Sequence, residues 1–143
     1  MKKSLLFFSL FVGLVACSSD KSSKRTIEDS GKQDVVEVLY FHGKQRCATC
    51  LAIEKHAKEL IDAAYAEELK NGSLFYKTID LNEEEALADK YGVTWSSLII
   101  VDYDNNGKEM SKNLTGLAFG NARTAPEKFK SVLSEQISEM LKN

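Results

Sequence analysis

The chain has 143 residues, so we expect at most one ordinary domain. Its formal net charge is −2 and no block of basic residues is present, which gives no reason to propose nucleic acid as a partner. The first residues do not belong to that domain, because the apolar run at residues 5–16 follows Lys2 and Lys3. This pattern is typical of a secretory signal, and the run is too short to span a bilayer as a helix.

The apolar run ends in Leu14-Val15-Ala16-Cys17, which resembles the lipobox of bacterial lipoproteins. The resemblance implies that residues 1–16 are a signal peptide and that Cys17 carries fatty acyl chains such as palmitate. It also implies an extracytoplasmic protein that is anchored to a bacterial membrane, since two or more acyl chains hold a protein firmly. The alternative is an ordinary signal peptide with a cysteine nearby by chance.

Residues 17–34 are predicted to be the lipidated cysteine and a flexible tether, because they are polar and show no periodicity. The sequence has three cysteines, and if Cys17 carries lipid, Cys47 and Cys50 remain as an even set. Such close cysteines outside the cytoplasm favour a redox pair, because a disulfide that closes a short loop adds little global stability. A small structural disulfide, or a remnant without activity, is the alternative.

The rest of the chain, residues 35–143, is predicted to form one α/β domain. Compact apolar runs indicate strands, and apolar residues at spacings of three and four indicate helices. In chain order we expect a strand at 35–41, a helix from about Cys50 to Asn71, a strand at 74–81, a helix at 83–91, a strand at 98–101, a strand at 108–114 and a last helix from Thr124. Asp104-Asn105-Asn106-Gly107 predicts the hairpin turn between the last two strands, and Thr124 is expected to cap the last helix.

Two segments carry a resemblance to a known family. Residues 40–50 (YFHGKQRCATC) resemble the strand, loop and CxxC helix of thioredoxins, and residues 77–93 (KTIDLNEEEALADKYGV) resemble the second strand and following helix. The likeness implies a thioredoxin-like fold with a central mixed sheet of about four strands flanked by helices. It further implies a thiol–disulfide oxidoreductase whose redox-active disulfide is Cys47–Cys50, without another cofactor, and a thiol or disulfide partner protein that resets the pair.

The sequence departs from the family before the third strand, where thioredoxins carry a cis-proline that faces the cysteines. The only proline here is Pro126, and Trp95, Ser96 and Ser97 occupy the corresponding stretch, with a serine in the place of the proline. We expect these three residues to line the substrate groove, although a packing role is an alternative for Trp95. The missing proline argues against a general thioredoxin and leaves the thiols more open to metal.

A narrower likeness joins residues 42–50 (HGKQRCATC) with the Ser96–Ser97 pair. Together they resemble small thioredoxin-like proteins that are labelled nitrophenyl-compound nitroreductase subunits and are associated with arsenic-resistance genes. The label says little about chemistry, and nothing in the sequence indicates a flavin site.

The spacing of the cysteines at a helix start places both sulfurs on one face. Cys47 is predicted to be the exposed attacking nucleophile and Cys50 the more buried resolving thiol. The helix N-terminus favours a thiolate, and Arg46 and Lys44 add positive charge. His42 is a candidate for proton transfer, although a solvated loop histidine is the more ordinary interpretation.

Two other classes of function remain open at this point. A thiol-based metal or metalloid binding protein would use Cys47 and Cys50, with His42 as a further ligand. Two thiolates suit an exchangeable soft ion such as Cu(I), or a trivalent arsenical, better than a structural zinc. The third possibility is a non-catalytic binding module that kept the fold.

Overall fold

The computed structural model describes residues 31–142. The predicted signal peptide, Cys17 and most of the predicted tether lie outside these residues. No helix in the described range is long and apolar enough to cross a membrane. In chain order the elements are β1 (Val35–His42), α1 (Ala48–Ala64), α2 (Ala66–Asn71), β2 (Leu74–Asp80), α3 (Glu85–Lys90), β3 (Ser97–Tyr103), β4 (Glu109–Asn113), α4 (Thr115–Asn121) and α5 (Pro126–Met140).

The four strands form one mixed sheet in the order β2-β1-β3-β4. Strand β1 pairs with β2 in parallel and with β3 antiparallel, and β4 is the antiparallel partner of β3. Every residue from 36 to 41 in β1 is buried, because this strand has neighbours on both edges and helices on both faces. The predicted mixed sheet of four strands, flanked by helices, is confirmed.

The sheet separates two apolar clusters of different size. The larger cluster joins alternate residues of β1 and β3 to α1, α4 and α5; among its fully buried members are Val38, Tyr40, Ile53, Ile61, Ile100, Phe129, Leu133 and Ile137. The smaller cluster lies on the opposite face under α3; it includes Leu39, Phe41, Ile79, Ala88, Val93, Ile99 and Val101. Helix α1, which carries the cysteine pair, therefore rests on the larger core through its apolar stripe.

The hairpin between β3 and β4 forms as its turn residues predict. The Asp104 carboxylate accepts backbone N–H groups of Asn106 and Lys108, both at 2.8 Å. Gly107 has a φ of 75°, a conformation that a residue with a Cβ rarely adopts. These contacts fix the register that places Tyr103 opposite Glu109.

The predicted helix from Cys50 to Asn71 is wrong in one respect, because the structure divides it at Tyr65. The Tyr65 backbone leaves the helical conformation, with a φ of −129°. Its hydroxyl lies 2.8 Å from the backbone oxygen and the hydroxyl of Ser134 on α5, and 2.8 Å from the Ser138 hydroxyl. Tertiary contacts therefore interrupt a pattern that local propensity would have continued.

Helix α4 and the cap of α5 also differ from the prediction. Helix α4 contains two glycines, which lowers its intrinsic propensity, but its first residue is fixed by tertiary contact. The Thr115 hydroxyl accepts the Leu98 N–H at 3.0 Å, and Ala118 is fully buried. The expectation that Thr124 caps α5 is wrong, because Ala125 takes the N-cap position and the Thr124 hydroxyl donates instead to the Gly120 carbonyl.

A buried ionic cluster holds the amino-terminal half of β1. Glu37 is only 3% exposed, and its carboxylate pairs with Lys77 at 2.6 Å and with Lys32 at 2.9 Å. The Tyr103 hydroxyl also donates to it. Burial by itself raises the pKa of Glu37, but the hydrogen bonds from Lys77 and Lys32 outweigh it and bring the pKa below its ordinary value. Lys32, within the predicted tether, thus already packs on the domain.

Replacement of the carboxylate is expected to destabilise the fold. Glu37→Gln should lower the free energy of unfolding at neutral pH by about 2 kcal/mol, because the amide loses two charge-assisted hydrogen bonds. A group with a depressed pKa stabilises the fold above its unfolded pKa, near 4.5, and loses that contribution as the pH falls through the folded value. The difference between wild type and variant should therefore shrink in acid.

Urea unfolding at a series of pH values measures this effect. The exposed Glu135 on α5 supplies the matched control, and Glu135→Gln should change the unfolding free energy little at any pH. If the difference in unfolding free energy between wild type and Glu37→Gln stays constant from neutral to acid pH, Glu37 does not supply this pH dependence.

Candidate functional site: the cysteine pair at the carboxyl end of β1

The cysteine pair lies where the central strand passes into α1. Strand β1 ends at His42, a short loop follows, and Cys47 is the N-cap residue of α1. The Cys50 backbone N–H donates to Cys47 Sγ at 3.1 Å, and the Leu51 N–H donates to the Cys47 carbonyl at 3.0 Å. The sulfur of Cys47 therefore takes the position that an oxygen takes at a conventional helix cap.

The two cysteines differ in their access to solvent. Their Cα atoms are 5.0 Å apart and the sulfurs form a disulfide. Cys47 is exposed, whereas Cys50 is only 5% exposed. The first turn of α1 holds no acidic residue, so no carboxylate there opposes a thiolate at the positive end of this 17-residue helix. The arrangement suits Cys47 for attack and Cys50 for resolution.

The neighbouring basic residues behave differently from each other. Lys44 is exposed in the loop, but Arg46 forms an ion pair with Glu54 on α1. Much of the Arg46 charge is therefore balanced by a carboxylate, and the side chain ties the loop to the helix. Its remaining field still acts on the phenols of Tyr40 and Tyr76, whose pKa values are raised chiefly by burial.

His42 ends β1 opposite Asp80, the last residue of β2. Its Nδ1 lies 3.2 Å from the Gly43 carbonyl oxygen, and its ring centroid is 6.1 Å from that of Tyr40. Asp80 accepts the backbone and side-chain N–H groups of Asn82, which hold the pKa of its carboxyl below the ordinary value, and His42 adds to the effect. His42 thus belongs to the strand ends beside the loop.

The three predicted groove residues divide into different roles. Trp95 is 57% exposed and its ring lies 5.2 Å from that of Phe119 on α4. Ser97 is buried, and its hydroxyl donates to the Trp95 carbonyl at 2.9 Å. Ser96 Oγ is 3.9 Å from Cys50 Sγ. The segment before β3 therefore approaches the cysteines through Ser96, with Trp95 presenting an aromatic surface.

Sequence reasoning missed Tyr40, which lies beneath the pair. Its side chain is fully buried in β1, and its hydroxyl donates to the Cys50 carbonyl at 2.9 Å. Burial raises the pKa of this phenol, so it remains a neutral donor. The available signal was a tyrosine in an otherwise apolar central strand, since a buried tyrosine hydroxyl requires a partner.

The structure does not assemble the set of ligands suggested for the metal alternative. Among residues 31–142, no group of three or more histidine, cysteine or acidic side chains is placed to hold a metal ion. Cys47 and Cys50 are brought together, and His42 is not grouped with them. Two thiolates alone are an incomplete site for a tetrahedral metal.

Comparison with known proteins supports the fold. No protein-family model matches the sequence, and no curated protein is similar to it in sequence. The Trx4 domain of ERdj5 is similar in structure, with a TM-score of 0.50 and 10% identity over 73% of this chain and 81% of that chain. Trxlp from Edwardsiella tarda EIB202 has a TM-score of 0.46 and 18% identity, over 70% and 82% of the two chains. The likeness to the ERdj5 domain confirms the predicted thioredoxin-like fold and shows the fold alone.

The difference in exposure predicts an order of modification. After reduction of the native protein, iodoacetamide should alkylate Cys47 well before Cys50, because Cys47 is exposed at the helix N-terminus and Cys50 is buried. Mass spectrometry of peptides from samples quenched at intervals follows both residues. In denaturant the two rates should converge, which controls for intrinsic reactivity, whereas equal rates in the native protein would contradict the assignment.

Proposed function

We propose that the protein is a thiol–disulfide oxidoreductase that works through Cys47 and Cys50. The observation that carries the proposal is the placement of an exposed Cys47 sulfur at the N-cap of α1, where the Cys50 N–H donates to it at 3.1 Å. The same hydrogen bond and the positive helix end stabilise a Cys47 thiolate once the disulfide is reduced. The thioredoxin-like fold supports this function as an analogy of architecture.

The proposed reaction proceeds by two exchanges at sulfur. The Cys47 thiolate attacks a partner disulfide, so that a bond forms to one partner sulfur and the other sulfur leaves as a thiolate. Cys50 then loses its proton to the solvent and attacks Cys47 Sγ, which closes the Cys47–Cys50 disulfide and releases the second partner thiolate. Two electrons pass from the protein to the partner, and a reducing thiol partner must reset the pair.

The location forms a second part of the proposal. The signal peptide at residues 1–16 and the lipobox ending in Cys17 support a lipid-anchored protein outside the cytoplasm. An oxidising compartment suits a protein whose cysteines form a disulfide. A tether that runs from residue 17 up to Lys32, which packs on the domain, would let the domain reach partners near the membrane.

Serine substitutions distinguish the roles of the two cysteines. Cys47→Ser should abolish reduction of a model protein disulfide, because the attacking sulfur is lost. In Cys50→Ser, Cys47 should still attack the partner disulfide, but the partner bound to Cys47 should not be released. Mixed disulfides should therefore accumulate. Insulin reduction and non-reducing gel electrophoresis measure the two effects.

Turnover that persists in Cys47→Ser would overturn the assignment of the nucleophile. Retained turnover without trapped species in Cys50→Ser would overturn the role of the resolving thiol. The exposed Ser131→Ala on α5 is the control for the purification and assay, and it should behave as wild type.

Membrane attachment has its own test. Cys17→Ser should release the protein from the membrane fraction of a bacterial host and abolish the incorporation of labelled palmitate. Its insulin reductase activity after purification should match wild type, since Cys17 is outside the domain that carries Cys47 and Cys50. Unchanged membrane attachment would exclude anchoring through Cys17 while leaving the redox function standing.

A further inference from the structure

Hydroxyl groups contact Cys50 at both its sulfur and its carbonyl oxygen. Ser96 Oγ lies 3.9 Å from Cys50 Sγ, and the Tyr40 hydroxyl donates to the Cys50 carbonyl at 2.9 Å. The Ser96 hydroxyl also acts on the Tyr40 phenol, where it lowers a pKa that burial raises. Ser96 and Tyr40 therefore place two hydroxyl groups around the buried Cys50.

The protons of these hydroxyl groups have a defined arrangement. Tyr40 commits its single proton to the Cys50 carbonyl. The Ser96 hydroxyl has one proton, and the Cys50 sulfur, 3.9 Å from Ser96 Oγ, is an acceptor within its reach. The sulfur in a disulfide carries no charge and is a weak acceptor. A thiolate in the same place is a stronger acceptor, since hydrogen bonds to ionised groups are roughly twice as strong.

Hydrogen bonds between side-chain hydroxyl groups and the backbone on both sides of Ser96 fix its position. The Ser97 hydroxyl donates to the Trp95 carbonyl at 2.9 Å, which closes the turn around Ser96. The Leu98 N–H donates to Thr115 Oγ1 at 3.0 Å, which anchors the start of β3 to α4. The chain around Ser96 is therefore held beside Cys50 by groups that take no part in the chemistry.

We propose that Ser96 is a further catalytic residue, whose hydroxyl donates a hydrogen bond to the Cys50 thiolate, and that Tyr40 is the positioning residue for Cys50. This inference rests on the proposed thiol–disulfide exchange and names the group that supports its second step. This contact gives the serine at position 96 a chemical role, because a residue without a hydroxyl there has no group that donates a hydrogen bond to the Cys50 sulfur.

The step concerns only the Cys50 side of the exchange. The Cys50 thiol releases its proton to water, and the resulting thiolate accepts a hydrogen bond from Ser96. It then attacks Cys47 Sγ, the mixed disulfide bond breaks, and the leaving thiolate takes the electron pair. Ser96 keeps its own proton throughout, so it lowers the energy of the thiolate without being consumed.

Other charged or titratable groups surround Ser96, Tyr40 and Cys50, and the Ser96 variants leave these groups unchanged. Arg46, paired with Glu54, and Tyr76 on β2 act on Tyr40 through space, and the His42 ring lies 6.1 Å from it. Cys47 is the sulfur that Cys50 attacks. Because all of these groups are retained, a change in the pH profile of resolution reports on the Ser96 hydroxyl.

Stopped-flow oxidation of the reduced full chain by dithiobis(nitrobenzoate), with Cys17→Ser as the background that removes the third thiol, separates the two steps. Attack by Cys47 releases one coloured thiolate in a phase whose rate scales with reagent concentration. Attack by Cys50 releases the second in a phase that does not. Ser96→Ala should slow the second phase by about tenfold and leave the first unchanged, because one hydrogen bond to a charged group is lost.

Matched variants complete the experiment. Ser96→Thr keeps the hydroxyl and should restore the second phase, and Ser131→Ala should alter neither. Tyr40→Phe should slow the second phase and shift its pH midpoint upward, whereas Tyr65→Phe, which removes another buried tyrosine hydroxyl, should do neither.

The outcomes separate this inference from the function on which it rests. A wild-type second phase in Ser96→Ala with an unchanged pH midpoint overturns the role of Ser96. Equal slowing of both phases in Ser96→Ala, or a failure of Ser96→Thr to restore the rate, also overturns it by indicating a structural effect. If Ser96→Ala does not fold, Tyr40→Phe still decides, because a wild-type second phase in that variant overturns the proposal. Absence of the first phase in wild type overturns the proposed function itself.

Discussion

The burial of β1 between two neighbouring strands is the constraint on which the site depends. Its six residues from 36 to 41 are buried, so the strand is fixed on both edges and both faces. The chain that leaves its carboxyl end must enter α1 at a defined point, and α1 rests on the larger core through Ile53, Ala57 and Ile61. The junction between β1 and α1 therefore fixes the positions of Cys47 and Cys50. A rigid frame allows one sulfur to be exposed and the other covered, although the two lie only three residues apart.

Local pattern was sufficient for much of the architecture. The apolar run of β1, the alternation of elements and the Asp104–Gly107 turn predicted the strands, most helices and the hairpin, because each signal acts over a few residues. The mixed sheet itself was implied by the resemblance to thioredoxins. The exposure of Cys47 and the burial of Cys50 followed from their spacing at a helix start. The division at Tyr65 and helix α4 did not follow, because both depend on contacts between distant segments: Tyr65 with Ser134, and Leu98 with Thr115.

The chemistry of the candidate site was predictable only in its sulfur atoms. From the sequence, Arg46 is predicted to assist a thiolate through its positive charge, but in the fold it pairs with Glu54. In the sequence, Tyr40 is not distinguished from the apolar residues of its strand. Its role as a hydrogen-bond donor depends on the Cys50 carbonyl, which the fold brings next to its hydroxyl. Ser96 was placed in the groove by resemblance, whereas its contact with Cys50 Sγ is a fact of three-dimensional packing. Side-chain partners that are distant in sequence leave little local signal.

The two halves of β1 meet different physical demands with different polar groups. At Glu37 the demand is stability, and a carboxylate held by Lys32 and Lys77 supplies it through full charges. At Tyr40, on the opposite face, a sulfur must change between a neutral disulfide and an anion. A carboxylate there would repel the thiolate, whereas hydroxyl groups can reorient and donate when the charge appears. Neutral hydroxyl donors beside Cys50 therefore suit a site whose charge varies during its reaction. The ionic cluster is confined to the other face and the other half of the strand.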